Sequence, residues 1–441
     1  AATRRITEIN DDDLRWQEGL VRGSVLARTL TTDQAQPARA AVTGPPAEVG
    51  VVAADLLQAI TAGVVPRAQD PTWLTLSRLP DGRKLRLGMV GDGWYDGRLG
   101  IAAALEYGRR RELAAATAAP VVRTLEQSLP YVRWRYLRNL GLGYHGVGGI
   151  LRWLRLDTGE QARNVRQRRL LIELIETLPR QFVDMDRVHD MIGGVGGLLG
   201  PLAQTLRDDP DVAGWDLLER ATEHLLAAQK TDGGWQGQLS ARPLTGLAHG
   251  AAGCGLALLE AGTTLQRPDV VDAGARAFAY EASVYDRQRA NWPDFREGGG
   301  ATMTAWCHGA PGIGLTRMRA VQLAPAHRDA PRWREDLDVA MTTTTTDPLP
   351  AHDHLCCGLS GRAAILRVVG RATGEAQWLA ASDAITQQIL IRYRQSGHVA
   401  LPTSDPRNPV TSSPGLMMGM AGVVAHLVSL GRDEDLGGWL L

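Results

Sequence analysis

The 441 residues of this chain carry 48 basic and 48 acidic side chains, so no net charge attracts nucleic acid or an anionic membrane surface. Four cysteines are too few for a secreted disulfide framework, and we expect a reducing cytoplasm. No uninterrupted apolar run is long enough to cross a bilayer, so we predict a soluble protein. The start, AATRRITEINDDDLRW, lacks both an initiator Met and the apolar core of a signal peptide, and it indicates a trimmed or excised domain.

A Gly-x-x-Gly tetrad recurs seven times along the chain, at intervals of roughly 50 to 60 residues. Each copy is followed by a short apolar run of small residues, which is typical of a helix packed on both sides. One such tetrad alone is a weak signal, so the regular spacing carries the prediction. The copies are YDGRLG (95–100), YHGVGG (144–149), IGGVGG (192–197), AHGAAG (248–253), CHGAPG (307–312), CCGLSG (356–361) and MMGMAG (417–422).

Amphipathic stretches lie between the tetrads, for example at 163–178 and 215–230, and no sustained strand pattern is present. An outer and an inner helix in each repeat are the simplest reading of this alternation. We therefore predict an all-α fold, an α/α toroid (barrel) of seven helical-hairpin repeats with the Gly-x-x-Gly turns at one rim. An open solenoid is the alternative. We expect residues 1–50 to form an N-terminal helical or linker segment and 51–441 a single barrel domain.

The two positions before the first glycine of each tetrad carry the candidate chemistry. Cys307 and Cys356 occupy the same position in consecutive repeats, and Cys357 lies one residue further on. Repeat geometry therefore predicts that three thiols converge at one rim, beside His249 and His308. In a reducing compartment such a cluster favours zinc, and three protein ligands with an open fourth position are typical of a catalytic site.

A closed structural zinc site remains an alternative, with His308 or His354 as the fourth ligand. Cys254 lies inside an apolar run, and we interpret it as a core residue.

Several of these segments resemble motifs of the lanthipeptide cyclase (LanC-like) family: HDMIGGVGG, GLAHGAAG, NWPDFR, AWCHGAPGIGL and HLCCGLSG. With YDGRLGIA, they are most similar to the C-terminal cyclase domain of class II (LanM-type) lanthipeptide synthetases. The resemblance extends from about residue 50 to the end. It implies an α/α toroid with a central Zn²⁺ that joins peptide Cys thiols to dehydroalanine or dehydrobutyrine, which forms lanthionine or methyllanthionine. The partners it implies are a dehydrated precursor peptide and a dehydratase domain or protein.

The resemblance also implies roles for single residues. His249 matches the catalytic histidine and Asp190 the inner-ring aspartate, and His308 is a second candidate for the general acid. Met303 stands where freestanding relatives often carry an arginine, so no role for an arginine is transferred there. The implied metal ligands are Cys307, Cys356 and Cys357, with the third cysteine in the place of the family's usual histidine.

On the residues alone, other functions stay open. A glycosidase would use paired turn carboxylates and a tryptophan-lined groove, from Asp96, Asp190, Asp232 and Asp294 and from Trp235, Trp292 and Trp306. A zinc-dependent thiol prenyltransferase would need a cationic diphosphate pocket, but we interpret the arginine clusters at 109–112 and 166–169 as solvated helix faces. A non-catalytic, zinc-stapled peptide-binding scaffold would tolerate the loss of His249.

Overall fold

A computed structural model describes residues 10–29, 38–66, 68–78, 85–127, 129–156, 161–237, 239–296, 301–402, 408–411 and 413–441. The described helices are α1 Asp11–Thr29, α2 Val49–Ala62, α3 Arg98–Tyr107, α4 Arg111–Glu126, α5 Pro130–Leu140, α6 Val147–Leu154, α7 Gln161–Thr177, α8 Gln181–Asp184, α9 Gly196–Asp208, α10 Trp215–Ala227, α11 Ala251–Thr264, α12 Pro268–Ser283, α13 Ala310–Leu323, α14 Ala330–Thr346, α15 Leu359–Thr373, α16 Ala376–Ser396, α17 Met420–Gly431 and α18 Gly437–Leu440. Two strands, β1 Leu74–Arg78 and β2 Leu85–Met89, pair antiparallel.

Seven helices form an inner ring, and each begins within a Gly-x-x-Gly tetrad, one or two residues after its first glycine. Each inner helix contacts the next one, and α17 contacts α3, so the ring is closed. The predicted toroid is confirmed, and the open solenoid is wrong. The inner helices are α3, α6, α9, α11, α13, α15 and α17.

A second layer of helices surrounds this ring. Helices α4, α7, α10, α12, α14 and α16 each follow an inner helix and pack back on it. The last inner helix, α17, has no such successor, and α2 from the start of the barrel packs on it instead. The seventh hairpin is therefore completed by helices from opposite ends of the chain.

The inner helices are buried on nearly every side because they lie between their neighbours and the outer layer. Helix α11 is buried from Ala251 to Gly262, which explains its small, apolar sequence. At Gly255 a Cβ would lie 2.9 Å from the Cβ of Ala277 on the outer helix α12. Small residues thus let the two layers approach closely, as the sequence predicted.

The tetrad glycines are required because each inner helix folds back over its own turn. A Cβ on Gly361 would lie well inside van der Waals contact with the carbonyl oxygen of Leu355. Gly309 has a φ of 82°, in the left-handed region, and a Cβ there would collide with the carbonyl oxygen of Met303. Steric necessity therefore explains the sequence repeat.

Backbone hydrogen bonds connect the seven turns into a closed circle at one end of the barrel. Every turn is bonded to the next, and the last is bonded to the first, with N···O distances of 2.7 to 3.1 Å. This circle makes the positions before the first glycines neighbours in space. The bonds run from Met417 N to Tyr95 O, Trp94 N to Tyr144 O, Tyr144 N to Met191 O, Met191 N to Ala248 O, Ala248 N to Cys307 O, Trp306 N to Cys356 O and Cys356 N to Met417 O.

The region before the barrel is not a plain linker. Helix α1 contacts β2 and the short 3₁₀ segment Pro409–Thr411, and Asn408 donates a side-chain hydrogen bond to the carbonyl oxygen of Gly19 at 3.0 Å. The β1–β2 hairpin adds a small sheet to the predicted all-helical fold. Within the residues that the structure describes, no helix combines the length and apolar character needed to cross a membrane.

Candidate active site and metal centre

Three cysteine thiols lie together on the turn circle. The Sγ atom of Cys357 is 3.4 Å from that of Cys307 and 3.3 Å from that of Cys356. All three ligand atoms lie within 4.8 Å of one another. The turn-to-turn hydrogen bonds produce this cluster because they place consecutive repeats side by side. The convergence expected from the repeat is present.

The thiol cluster has the chemistry of a zinc site. Two sulfurs on a tetrahedral zinc, with Zn–S bonds of 2.3 Å, are about 3.8 Å apart, so a small outward movement opens the cluster to the ion. Hydrogen bonds from Cys356 and Cys357 hold the pKa of the Cys307 thiol well below its usual range, and Cys307 in turn raises the pKa of both neighbours. Ionisation of one cysteine therefore disfavours ionisation of the other two, so all three can be thiolates together only with a cation beside them. Cys307 and Cys356 are 6% and 3% exposed, which strengthens that need.

The second element of the site is a histidine–aspartate pair. His249 Nδ1 lies 2.7 Å from Asp190 Oδ2, and its side chain is 24% exposed. The other carboxylate oxygen, Oδ1, accepts backbone hydrogen bonds from Ile192 at 2.9 Å and Gly193 at 2.8 Å. Since a carboxylate oxygen accepts, His249 Nδ1 is the donor in this contact, and Nε2 is the ring nitrogen left for other partners.

A buried ion pair anchors the turn that carries His249. Glu281 of α12 accepts hydrogen bonds on Oε1 from the backbone of Gly246 and of Ala252, at 2.8 and 3.0 Å. Its Oε2 accepts a hydrogen bond from Arg317 Nη2 at 2.9 Å, and both side chains are fully buried. Removing one partner of such a pair costs about 3–5 kcal/mol. The outer layer thus holds the turn of His249 firmly.

His308 lies next to the pair but outside the thiol cluster. Its ring stacks on that of His249, with centroids 5.9 Å apart, and its Nδ1 lies 3.2 Å from the carbonyl oxygen of Thr245. Burial lowers the pKa of His308 to about 4, so it is neutral near pH 7. A fully buried, neutral ring is a poor proton donor, whereas the His249 side chain is 24% exposed and lies against Asp190.

The closed four-ligand alternative receives no support from the described residues. His354 is fully buried, and its Nδ1 lies 3.2 Å from the carbonyl oxygen of Met417 and 3.3 Å from the backbone nitrogen of Cys357. Neither His308 nor His354 joins the three sulfurs in the ligand cluster that the described residues form. The ligand cluster formed by the described residues therefore consists of the three sulfurs.

Sequence reasoning assigned no role to Tyr95, which contacts the cluster. Its hydroxyl donates to Cys356 Sγ at 2.9 Å, and its ring centroid lies 6.1 Å from that of Trp306 and 5.1 Å from that of His145. Burial first, and then the charge of Cys356, raise the pKa of Tyr95 well above its usual value, so the hydroxyl remains a donor. The sequence did hold a signal for this contact, because Tyr95 stands two residues before the first glycine of its tetrad, as Cys307 and Cys356 do.

An arginine also lies beside the thiols, although the sequence comparison offered none. Arg296 donates from Nε to Asp294 Oδ1 at 3.0 Å and from Nη2 to Met303 Sδ at 3.1 Å. Burial lowers the pKa of Arg296, but Asp294, followed by Cys307 and Cys357, raises it by more. The guanidinium therefore occupies the neighbourhood of Met303, which stands where relatives often have an arginine.

The glycosidase features do not form a groove. Asp190 is bound to His249, Asp294 is paired with Arg296, and Asp232 accepts the backbone N–H of Gly234. The three tryptophans, Trp235, Trp292 and Trp306, are all buried, which agrees with barrel packing rather than with the alternative of a sugar groove.

The arginines at 166–169 do not form an anion pocket. Arg166 and Arg169 are more than half exposed and share Glu126, so the interpretation of a solvated face is confirmed for this cluster.

A closed α/α barrel with a thiol cluster and a histidine–aspartate pair at its rim defines a class of barrel enzyme with a candidate zinc centre. The model of the family described as "Lanthionine synthetase C-like protein" matches residues 88–440. The chain therefore belongs to the lanthionine synthetase C-like family. A comparison with curated proteins found no match.

Solved structures that resemble this chain have low sequence identity to it. "Nisin cyclase" has a TM-score of 0.54 and 16% identity, and the match covers 79% of this chain and 91% of that one. "A possible member of GH105 family" from Salmonella enterica has a TM-score of 0.44 and 12% identity, with 86% and 94% covered. An α-1,6-mannanase variant of Salegentibacter has a TM-score of 0.45 and 9% identity, with 87% and 98% covered. The first supports the toroid, whereas the TM-scores of the other two are too low to establish a shared fold.

Proposed function

We propose that this protein is a zinc-dependent lanthipeptide cyclase that forms lanthionine and methyllanthionine rings. One observation carries the proposal: three clustered thiols, Cys307, Cys356 and Cys357, lie in the same turn circle as the His249–Asp190 pair. Membership of the lanthionine synthetase C-like family supports the same reaction. The substrate is a dehydrated peptide that contains Cys together with dehydroalanine or dehydrobutyrine.

The reaction adds a thiol across a carbon–carbon double bond. Zn²⁺ held by the three cysteines would supply the positive charge that keeps the substrate thiol deprotonated at neutral pH. In the balance of the reaction the sulfur bonds to the β-carbon, the double-bond electrons move toward the amide, and the α-carbon receives a proton. His249 Nε2 takes up the proton that the substrate thiol releases and returns it to the α-carbon as the general acid, and Asp190 orients the ring.

Three cysteine thiolates give a zinc site a net charge of about −1, so a fourth, substrate thiolate is electron-rich and weakly held. The Arg296 guanidinium offsets part of this charge from the side of Cys307 and Cys357. We infer that this balance keeps the substrate sulfur nucleophilic without expelling it from the site.

The remaining parts of the proposal concern the domain, its partner and its location. We propose a LanM-type cyclase domain that spans residues 51–441 and works with a dehydratase domain or protein, with residues 1–50 as an N-terminal segment. A cytoplasmic location fits the four free cysteines. The family match over residues 88–440 supports a cyclase domain, and the position of α2 at 49–62 supports the proposed start of that domain.

The proposal is tested first by elemental analysis of the purified chain, of Cys356→Ala and of Cys254→Ala. Cys254 is the matched control because it is also buried but lies outside the cluster. We expect Cys356→Ala to lose one zinc per chain relative to the wild type and Cys254→Ala to keep the wild-type content. Loss of free thiol from a dehydrated, Cys-containing peptide then measures cyclisation, and it should require the zinc and His249.

Two results would contradict the proposal. If Cys356→Ala binds as much zinc as the wild type, the zinc is not bound by the thiols. Failure of the zinc-loaded wild type to cyclise the peptide would instead leave a zinc-stapled peptide-binding scaffold as the better description.

A further inference from the structure

A second cluster of metal-ligand side chains lies on the back of the turn that carries Asp190. Asp186, His189 and His224 each offer one ligand atom, and these atoms lie within 4.8 Å of one another. We propose that they form a second site for a divalent transition-metal ion, for which Zn²⁺ is the probe, separate from the three thiols. Two imidazoles, one carboxylate and a water would complete a tetrahedral shell.

The geometry of the two imidazoles supports a ligand between them. Their ring centroids are 5.5 Å apart with an interplanar angle of 34°, so the rings approach without stacking face to face. His189 Nδ1 is buried and has no hydrogen-bond partner among the described residues. A buried ring nitrogen without a partner costs free energy, and a metal ion is one way to satisfy it.

The carboxylate of the cluster is already fixed in place. Asp186 Oδ1 accepts the backbone N–H of Val188 at 3.0 Å, and Oδ2 accepts those of His189 and Val195 at 3.1 and 2.8 Å. These bonds use three of about four acceptor positions, so one lone pair on Oδ1 remains for a cation. They also hold the carboxylate still, which lowers the cost of ordering the site.

Each histidine is held by a different part of the fold. His189 has a φ of 64°, which is uncommon for a residue other than glycine and typical of a functional constraint. His224 lies in the last turn of the outer helix α10, and its Nε2 is 3.1 Å from the Asp186 carbonyl oxygen. An ion bound here would therefore tie the Asp190 turn to the outer layer.

The cluster is separate from the groups that react in the proposed cyclisation. The nearest reacting group is Asp190, whose carboxylate turns to His249 rather than to this cluster. The second site does not depend on the proposed cyclase activity, because it shares no ligand with the thiols.

Metal counting in four proteins tests the proposal: the wild type, His224→Gln, His189→Asn and Cys356→Ala. Glutamine keeps a donor toward the Asp186 carbonyl, and asparagine tolerates the left-handed backbone at 189. After equilibration with zinc and gel filtration, we expect about two zinc ions per chain in the wild type. Each of the three variants should hold about one.

X-ray absorption at the zinc edge distinguishes which ion is lost. The zinc that remains in His224→Gln should have a sulfur-rich shell, and the zinc in Cys356→Ala should have nitrogen and oxygen only. His398→Gln, at an exposed histidine outside the cluster, is the control and should keep two. If His224→Gln and His189→Asn both bind as much zinc as the wild type, the second site does not exist.

Discussion

Asp190→Asn changes one atom at the centre of the site and should slow cyclisation strongly. Asp190 Oδ1 accepts two backbone N–H groups, so the variant must place its amide oxygen there. Its NH₂ group then faces His249 Nδ1, which becomes an acceptor. The ring proton moves to Nε2, and the charge that stabilised a protonated ring is lost.

The size of the effect follows from what the pair contributes. General acid catalysis by a positioned side chain contributes about 10²- to 10⁴-fold in rate. At about 1.4 kcal/mol per factor of ten, this corresponds to about 3–5 kcal/mol in the barrier. The 2.7 Å contact and the low exposure of Asp190 place the expected loss at 100-fold or more.

The assay is thiol loss from a dehydrated peptide under single-turnover conditions, together with zinc content. Asp92→Asn is the matched control because Asp92 is also a partly buried turn aspartate, bound to Arg98 and Tyr136 rather than to a histidine. We expect wild-type zinc in both variants and near-wild-type rates only in the control. If Asp190→Asn cyclises within threefold of the wild type, the role assigned to the pair is refuted.

Two further predictions concern residues outside that pair. Tyr95→Phe removes the hydroxyl donor to Cys356, so in cobalt-substituted protein the sulfur-to-metal absorption band should move to lower energy with unchanged metal content. Tyr144→Phe, at the same position in the next repeat, is the control and should leave the band in place. An unmoved band in Tyr95→Phe would contradict the inferred contact. His426→Gln tests acid stability, because burial lowers the pKa of His426 to about 3 while the unfolded value is about 6.5. The contribution of the neutral, buried ring to the free energy of unfolding is fully present above pH 6.5. It is lost as the pH falls toward 3, and the loss reaches about 3 kcal/mol at pH 4.5. Glutamine can keep the hydrogen bond to Thr386 without titrating, so urea unfolding at pH 7 and 4.5 should show a smaller loss than in the wild type, and equal losses would count against the assignment.

Much of the fold and of the thiol site is readable in the sequence because sterics force the repeat. A side chain on Gly361 or Gly309 would collide with the preceding turn, so these glycines mark where inner helices begin. Once the repeat is known, the equivalent positions of Cys307 and Cys356 predict their proximity. No measurement of the structure is needed for that step.

Only the tertiary structure decided which other groups reach the thiols. Tyr95 shares the repeat position of Cys307 and Cys356, but only the closed ring brings the first repeat to the thiols. Arg296 comes from a long connection that the repeat does not describe. The ring closure through α2, the exclusion of His308 from the cluster and the burial of Trp306 likewise depend on how the whole toroid closes. The repeat is a local steric requirement, whereas these contacts arise from the barrel's circumference and from packing between distant segments.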